Sequence, residues 1–351
     1  MSVKIRVGIW GLGRAGNSMH VRELLLFPEQ FEIVAGCDTS EDRRQAMAKQ
    51  CSCRLYAEAR ALLADPEVDL VSVATRSPDH ATHACQALKA GKYVFLEKPI
   101  ALNMADAQQL IEADRQFPGK LFLRHNRRFE PPFVRIREIM ASGVLGDVYE
   151  IKLHRHGYQR RADWQTLIEC GGGQLNNWGP HIIEHALRFL EAPVVDVWAD
   201  LKRVAALGDA EDHLKIVLRN QVGRIVDLEI SGGVALSQPD YVIFGTRGAL
   251  TCEGNTIHLK HIDPAQVFPP SGAESGNPPL AGGFGEENPV RWINEDVTVE
   301  SKPEEGLASI WGHLYKAIRQ DVPFPITLEQ GVEVVRITEQ ARRVSAFGKG
   351  R

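Results

Sequence analysis

The chain has 351 residues, 44% hydrophobic and 25% charged, an ordinary globular composition with length for about two domains, which excludes a disordered chain, a collagen-like repeat and a small disulfide scaffold. Its 41 Lys and Arg against 45 Asp and Glu leave a formal net charge of −4, which argues against nucleic acid or an anionic membrane surface as a partner. The 6 Cys, including Cys51-Ser-Cys53, show no disulfide framework or paired zinc spacing; with no basic leader and no run of the ~18 apolar residues a membrane span needs, a reduced, cytoplasmic protein is expected.

Up to about residue 125, short apolar strands alternate with helix-length segments, the signature of a parallel sheet with crossover helices. Ile5, Val7 and Ile9 form a strand running into Gly11-Leu-Gly-Arg-Ala-Gly16, and Val21, Leu24 and Leu25 mark the first helix. A strand over Phe31–Cys37 ends at Asp38; a polar helix near 41–50 and a β-rich run Val68–Thr75, between Pro66 and Pro78, follow. Next come a helix over 79–90, a buried strand Lys92–Leu96 running into Glu97-Lys98-Pro99, a helix over 103–116 and a closing strand Leu121–Leu123. From about 145 to 300 the texture is antiparallel: strand-like stretches Val148–Leu153, Leu214–Leu218, Val222–Ile230, Tyr241–Phe244 and Thr256–Leu259, with one helix near 179–190. Residues 263–289, rich in Pro and Gly, are expected to be a long loop acting as lid or interface arm. Val334, Ile337, Ala341 and Val344 share one face of a final helix beginning near Leu328.

Gly11-x-Gly13-x-x-Gly16 follows a strand, opens a helix and is followed by Asp38 at the end of the next strand, the context that makes a short glycine pattern a dinucleotide fingerprint. Gly11 permits the tight turn, Gly13 lets the backbone approach a pyrophosphate and Gly16 allows close helix packing, with Arg14 and Ala15 completing the loop. Asp38 is placed to accept from the adenosine ribose hydroxyls and to repel a 2′-phosphate, so NAD is expected. Arg14, Arg43 and Arg44 keep NADP open, because a guanidinium binds phosphate through a fork.

Glu97-Lys98-Pro99 stands at the carboxyl end of an inner strand, where parallel sheets present ligands. Pro99 favours an extended Lys98, and a lysine in such a crevice stabilises developing alkoxide charge. The second constellation is Gly171-Gly-Gly-Gln-Leu-Asn-Asn177-Trp-Gly-Pro-His181-Ile-Ile-Glu184-His185. With a helix over 179–190, Asn177 precedes its N-terminus, His181 lies in its first turn and His185 one turn later on the same face. Histidine is the natural proton acceptor for an alcohol oxidised near neutral pH; a core histidine bonded to a backbone carbonyl is the alternative. His181-x-x-Glu184-His185 also matches the inverted zinc-protease motif, but its setting behind a triple glycine, in a chain with a dinucleotide site, argues against a metal, and none is expected. His156, Tyr158, Arg160 and Trp164 mix cationic and aromatic groups that suit a carbohydrate or an acidic sugar; an exposed strand with a basic face is the alternative.

In this order, GLGRAG at 11–16, Asp38, Thr75 with His80, EKP at 97–99, NRRF at 126–129, the block from Gly171 to His185 and the stretch from Leu314 to Leu328 resemble the Gfo/Idh/MocA family of oxidoreductases. The resemblance implies an α/β architecture: an N-terminal Rossmann domain, 1–125, with a doubly wound parallel sheet, and a C-terminal α+β domain, 126–351, on a large, mostly antiparallel open sheet. That sheet would form a homodimer or homotetramer, and the final helix, about 328–346, would pack back on the Rossmann domain. The resemblance also implies hydride transfer between NAD or NADP and a small sugar or polyol, with Lys98 and His181 catalytic and Asn177 positioning the substrate. Thr75, His80, Glu97 and Lys98 join the cofactor site; Arg127 and His185 join the substrate site. Two positions depart from the family. Asn177 stands where aspartate is usual and cannot stabilise an imidazolium, leaving Glu184 as the carboxylate on the same helix; Arg76-Ser-Pro follows Thr75 where Pro-Asn is commoner. Two other activities accompany the family, a redox-neutral NAD-using glycosidase or lyase and a non-catalytic dinucleotide-binding sugar sensor, toward which Asn177 points.

Overall fold

The computed structural model describes residues 3–268, 276 and 289–348; most of the 263–289 loop expected from the sequence lies outside the described residues. Six strands, β1 (Ile5–Trp10), β2 (Phe31–Cys37), β3 (Arg54–Tyr56), β4 (Leu70–Val73), β5 (Tyr93–Glu97) and β6 (Leu121–Arg124), form a sheet in the order β3-β2-β1-β4-β5-β6. Every pairing in it is parallel. The direction of winding reverses between β1 and β4, so the loops leaving those strands open the crevice where doubly wound sheets take ligands. Ile5, Val7, Ile9 and all of β4 are buried, which is why these strands are continuous apolar runs in the sequence. The short edge strand β3 has no such run and carries no sequence signal.

The first helix differs from expectation. Arg14–His20 wind as a π-helix and only Val21–Leu24 continue as α-helix. The wider turn breaks the 3.6-residue register, and Leu25, expected on the buried face, is 57% exposed.

The second sheet has eight strands: β7 (Val148–His156), β8 (Val194–Lys202), β9 (His213–Asn220), β10 (Ile225–Ser231), β11 (Tyr241–Gly245), β12 (Gly248–Glu253), β13 (Thr256–Ile262) and β14 (Trp292–Thr298), ordered β14-β13-β12-β11-β7-β10-β9-β8. It is antiparallel except for β7 against β10. Ile151, Leu153, Ile216, Val226 and Leu228 on one face pack with Ile182, Ile183 and Ala186 of the helix Gly179–Leu190 in a core of their own.

Two C-terminal helices reach the first core. Trp311, Leu314 and Tyr315 of Ser309–Gln320 lie among the parallel strands' side chains, with the Trp311 ring edge-on to Phe95 at 4.7 Å and Phe31 at 5.6 Å. Leu328–Val344 starts in a capping box of Thr327 and Gln330 and gives Val335 to the first core and Val334, Ile337 and Ala341 to the second. Val344, expected on that face, is exposed at the helix end. Trp311→Ala empties a fully buried site and removes the indole N–H that donates to Glu23. The expected loss is about 3–5 kcal/mol of stability, measured as a lower urea midpoint of unfolding.

Candidate active site

The glycine loop is shaped by close backbone approaches. Gly11 has φ +98 and a Cβ there would stand 2.5 Å from the Ala74 carbonyl oxygen, while one on Gly16 would collide with the Gly11 carbonyl. A Cβ on Gly13 would meet nothing nearer than Arg43 Nη1 at 3.9 Å, so the outer side of this residue is open to an approaching phosphate. Asp38 closes the loop from the end of β2: its carboxylate accepts the Leu12 N–H at 2.8 Å and the Ser40 N–H at 2.9 Å, with Arg43 Nη1 at 3.4 Å. Arg44 turns away and donates to the carbonyls of Asp38 and Thr39. Arg14 is exposed beside the loop and Ala15 half-buried. An open glycine flank next to a fixed carboxylate fits a dinucleotide.

The loop after β4 meets the EKP turn. Thr75 Oγ1 lies 2.9 Å from His83 Nδ1, and His83 stacks on Trp10 at 4.1 Å. His80 is buried with Nδ1 2.7 Å from the Pro99 carbonyl and Nε2 3.2 Å from that of Thr75; a neutral ring donates to one of the two, and the shorter contact is to Pro99. The Lys98–Pro99 peptide is cis. Lys98 Nζ donates to the Asn177 carbonyl at 2.8 Å, the hydrogen bond that joins the β5 end to the segment before the Gly179–Leu190 helix. Burial lowers the Lys98 ammonium to about 8, with Arg124, Arg127 and Arg14 acting in the same direction against Glu97. Burial opposes the Glu97 charge, yet Arg124, His20 and Lys98 hold its carboxyl well below the usual range.

His181 is buried in the first turn of Gly179–Leu190, with Nδ1 lacking a hydrogen-bond partner among the described residues. Burial pushes its imidazole far below the ordinary histidine value, and Lys98, Arg127, His125 and His185 add to this. Glu184 does not replace the missing carboxylate. It faces Arg128, whose Nε donates at 2.8 Å, and Arg188 at 3.4 Å. His185 stacks on Phe133 at 3.9 Å with Nε2 2.8 Å from the Arg127 carbonyl. Glu184 and His185 therefore look to different partners, and no group of three or more His, Cys, Asp or Glu among the described residues is placed to hold a metal ion.

The remaining expected substrate residues divide. Arg127 lies 4.3 Å from the Trp178 ring and donates to Glu130 at 2.8 Å. Trp164 sits under the Arg76 guanidinium at 5.5 Å, so the departure at Arg76 bridges the β4 loop and the segment before the triple glycine. Tyr158 and Arg160 are exposed. His156 is a correction: it pairs with Glu229 at 3.3 Å on the face of β7 turned away from the Gly179–Leu190 helix. Side chains alternate along a strand, and the residue facing the helix is Arg155, which donates to Tyr241 Oη at 2.8 Å and Glu130 at 3.2 Å and lies 5.9 Å from the Trp178 ring. The phase of Ile151 and Leu153 was the signal for Arg155. His125, also missed, is buried with neither ring nitrogen bonded among the described residues, and burial with Arg128 lowers it to about 3.

Residues 5–125 match the oxidoreductase family described as NAD-binding Rossmann fold, and residues 133–251 match the Gfo/Idh/MocA C-terminal domain. The chain is 26% identical over 348 residues to the uncharacterized oxidoreductase YdgJ of Escherichia coli, covering 97% of this chain and 96% of the relative. It is 25% identical over 354 residues to scyllo-inositol 2-dehydrogenase (NADP(+)) IolW of Bacillus subtilis, covering 97% and 94%. The structure of GenD2 from gentamicin A biosynthesis, in complex with NAD, matches with a TM-score of 0.80 at 23% identity over 100% of this chain and 96% of that one. The open glycine flank, the fixed Asp38, the EKP turn and both domain matches thus carry one conclusion: this chain belongs to the Gfo/Idh/MocA family of oxidoreductases and binds NAD in its Rossmann fold.

Proposed function

We propose that the chain is an NAD-dependent dehydrogenase acting reversibly on a CH–OH group of a sugar, polyol or sugar acid. The observation that carries this reading is a Lys98 ammonium, donating to the Asn177 carbonyl, whose charge acts on a neutral His181 ring with Nδ1 lacking a hydrogen-bond partner among the described residues. The name of IolW, an inositol dehydrogenase using NADP, supports a polyol and keeps NADP as a second cofactor. Gly11, Gly13, Arg14, Ala15 and Gly16 would hold the pyrophosphate and Asp38 the adenosine ribose; Thr75, His80 and Glu97 shape the crevice beyond. The bound nicotinamide supplies the hydride acceptor or donor. Lys98 directs one N–H to Asn177 and keeps others for the substrate oxygen, where its charge stabilises a developing alkoxide. The His181 ring takes the hydroxyl proton, and Asn177, Arg127 and Trp164 bound the substrate. Residues 1–125 thereby serve the dinucleotide and 126–351 the substrate. The sheet face away from the Gly179–Leu190 helix, where Trp198 and Tyr149 are exposed, is the surface for a homo-oligomer.

The lack of a carboxylate at 177 favours a second reading, a sugar sensor that binds dinucleotide without turnover. Purified protein with NAD or NADP and a panel of sugars, inositols and uronic acids separates the two: substrate-dependent NADH absorbance establishes the dehydrogenase, and NAD binding without any signal establishes the sensor. Substrate consumed without net NADH identifies a redox-neutral glycosidase or lyase.

His181→Ala is expected to lower kcat by roughly 10²–10⁴ with NAD affinity by calorimetry unchanged; intact turnover removes His181 from the proton transfer. Since Lys98 loses its proton near 8 and His181 stays neutral well below its ordinary value, oxidation should be steady through neutral pH and fall as pH rises past about 8. Asn177→Asp adds a charge that favours imidazolium, so the acid limb of kcat/KM should move to higher pH. Asp38→Ala relieves repulsion of a 2′-phosphate and should shift the NADP to NAD ratio of kcat/KM upward by about tenfold or more; an unchanged ratio places cofactor choice elsewhere.

A further inference from the structure

A buried chain of charges ties the EKP turn to the first helix. Arg124, at the carboxyl end of β6, has no solvent exposure. Its Nη1 donates to Glu97 Oε1 at 2.9 Å, and its Nη2 to the two oxygens of Glu23 at 2.6 and 2.7 Å. The other Glu97 oxygen accepts the backbone N–H of Lys98 at 2.6 Å. Trp311 Nε1 donates to Glu23 at 2.7 Å from behind. His20 stands beside the chain, its Nε2 3.8 Å from Glu97 Oε1 and its Nδ1 2.8 Å from Ser72 Oγ. A buried ion pair is a weak source of stability once desolvation is counted, and what this one grips is the residue preceding the crevice lysine.

We propose that Arg124 and Glu23 are positioning residues for Lys98: they clamp Glu97, which fixes the Lys98 backbone and sets the negative charge its ammonium experiences. The proposal rests on the dehydrogenase reading, in which Lys98 acts as a cation. The charged and titratable groups around Lys98 among the described residues are Glu97 on its own strand, Arg124 of β6, Arg127 and His125 from the segment after β6, Arg14 of the glycine loop, His80 after β4 and His181 of the Gly179–Leu190 helix. Glu97 alone among them is anionic. Its effect on Lys98 depends on how fully Arg124 neutralises it, and Glu23 decides that by meeting the guanidinium from the other side.

Two variants of opposite sign test this. Glu23→Gln keeps the shape and one accepting oxygen but leaves Arg124 with Glu97 as its carboxylate partner, so Lys98 should release its proton at lower pH. Glu23→Gln with Arg124→Met removes one charge of each sign and leaves Glu97 to Lys98, so release should move to higher pH. The rate of acetylation of Lys98 by acetic anhydride, followed against pH by mass spectrometry on the full chain without cofactor, reads the midpoint directly. A displacement of roughly one pH unit each way is expected, with the alkaline limb of kcat moving in the same order and KM little changed. Arg124→Lys, which keeps the charge and loses the fork, should retain the labelling midpoint and lose rate. Midpoints that stay in place, or move in the same direction in both charge variants, overturn the proposal, and lowered thermal stability alone assigns the chain of charges a structural role. Midpoints that move as stated, in a protein whose turnover has no alkaline limb, uphold the clamp and overturn the catalytic part given to Lys98.

Discussion

An ammonium group held out of bulk water is costly unless hydrogen bonds and opposite charge replace the solvent, and the arrangement around Lys98 is a set of such replacements. The Asn177 carbonyl takes one N–H, and Glu97 supplies the opposing charge while holding the Lys98 backbone N–H. Glu97 is itself anchored to Arg124, and Arg124 to Glu23. The parallel sheet makes this possible because β5 and β6 are neighbours in register, Glu97 beside Arg124, so the two charges meet at one edge without strain on either strand. Compensation is partial. Three guanidiniums remain near the ammonium, and burial still lowers it to about 8, within reach of physiological pH and therefore sensitive to its neighbours.

One hydrogen bond of about 1 kcal/mol does not align two sheets, so the approach of Lys98 to the His181 helix needs a stronger support. Arg128 provides it. Its guanidinium binds Glu184 on that helix, the Pro325 carbonyl at 2.7 Å and Gln330 at 2.6 Å. Gln330 belongs to the capping box that starts the Leu328–Val344 helix, and this helix has side chains in both cores. Glu184 thus fixes its helix against the C-terminal segment through Oε1, while its Oε2 has no hydrogen-bond partner among the described residues.

The parts of the molecule legible in the sequence are those where a backbone constraint admits few residue types. The close approach of Gly16 to Gly11 and the positive φ of Gly11 tolerate glycine almost alone, so the fingerprint appears as letters. The strands β1, β4 and β5, buried on both faces, appear as apolar runs, and the Gly179–Leu190 helix is bounded by Gly-Pro at its start. What stayed hidden depends on phase or on distant partners. His156 and Arg155 are adjacent and chemically alike as candidates, and only the alternation set by Leu153 decides which one faces the helix. Arg124 looks in sequence like a polar residue closing a strand, because Glu23 reaches it from 101 residues before, and Trp311 backs Glu23 from still farther along the chain. The edge strands β8 and β14 lack a clean alternation, with most β14 positions exposed.

The charges around His181 set the character of the proposed base. Every charged group named around His181 is cationic, Lys98 and Arg127 included, and each favours the neutral ring. A neutral imidazole is the form that accepts a proton; the same field makes the imidazolium costly once formed. Proton-transfer efficiency follows the match between base strength and operating pH, and a base weakened by burial and nearby cations takes a hydroxyl proton more readily as the alkoxide gains compensating charge. In the proposed mechanism that charge comes from Lys98. The two residues are consequently coupled: the weaker His181 is as a base, the more the reaction depends on Lys98 remaining protonated.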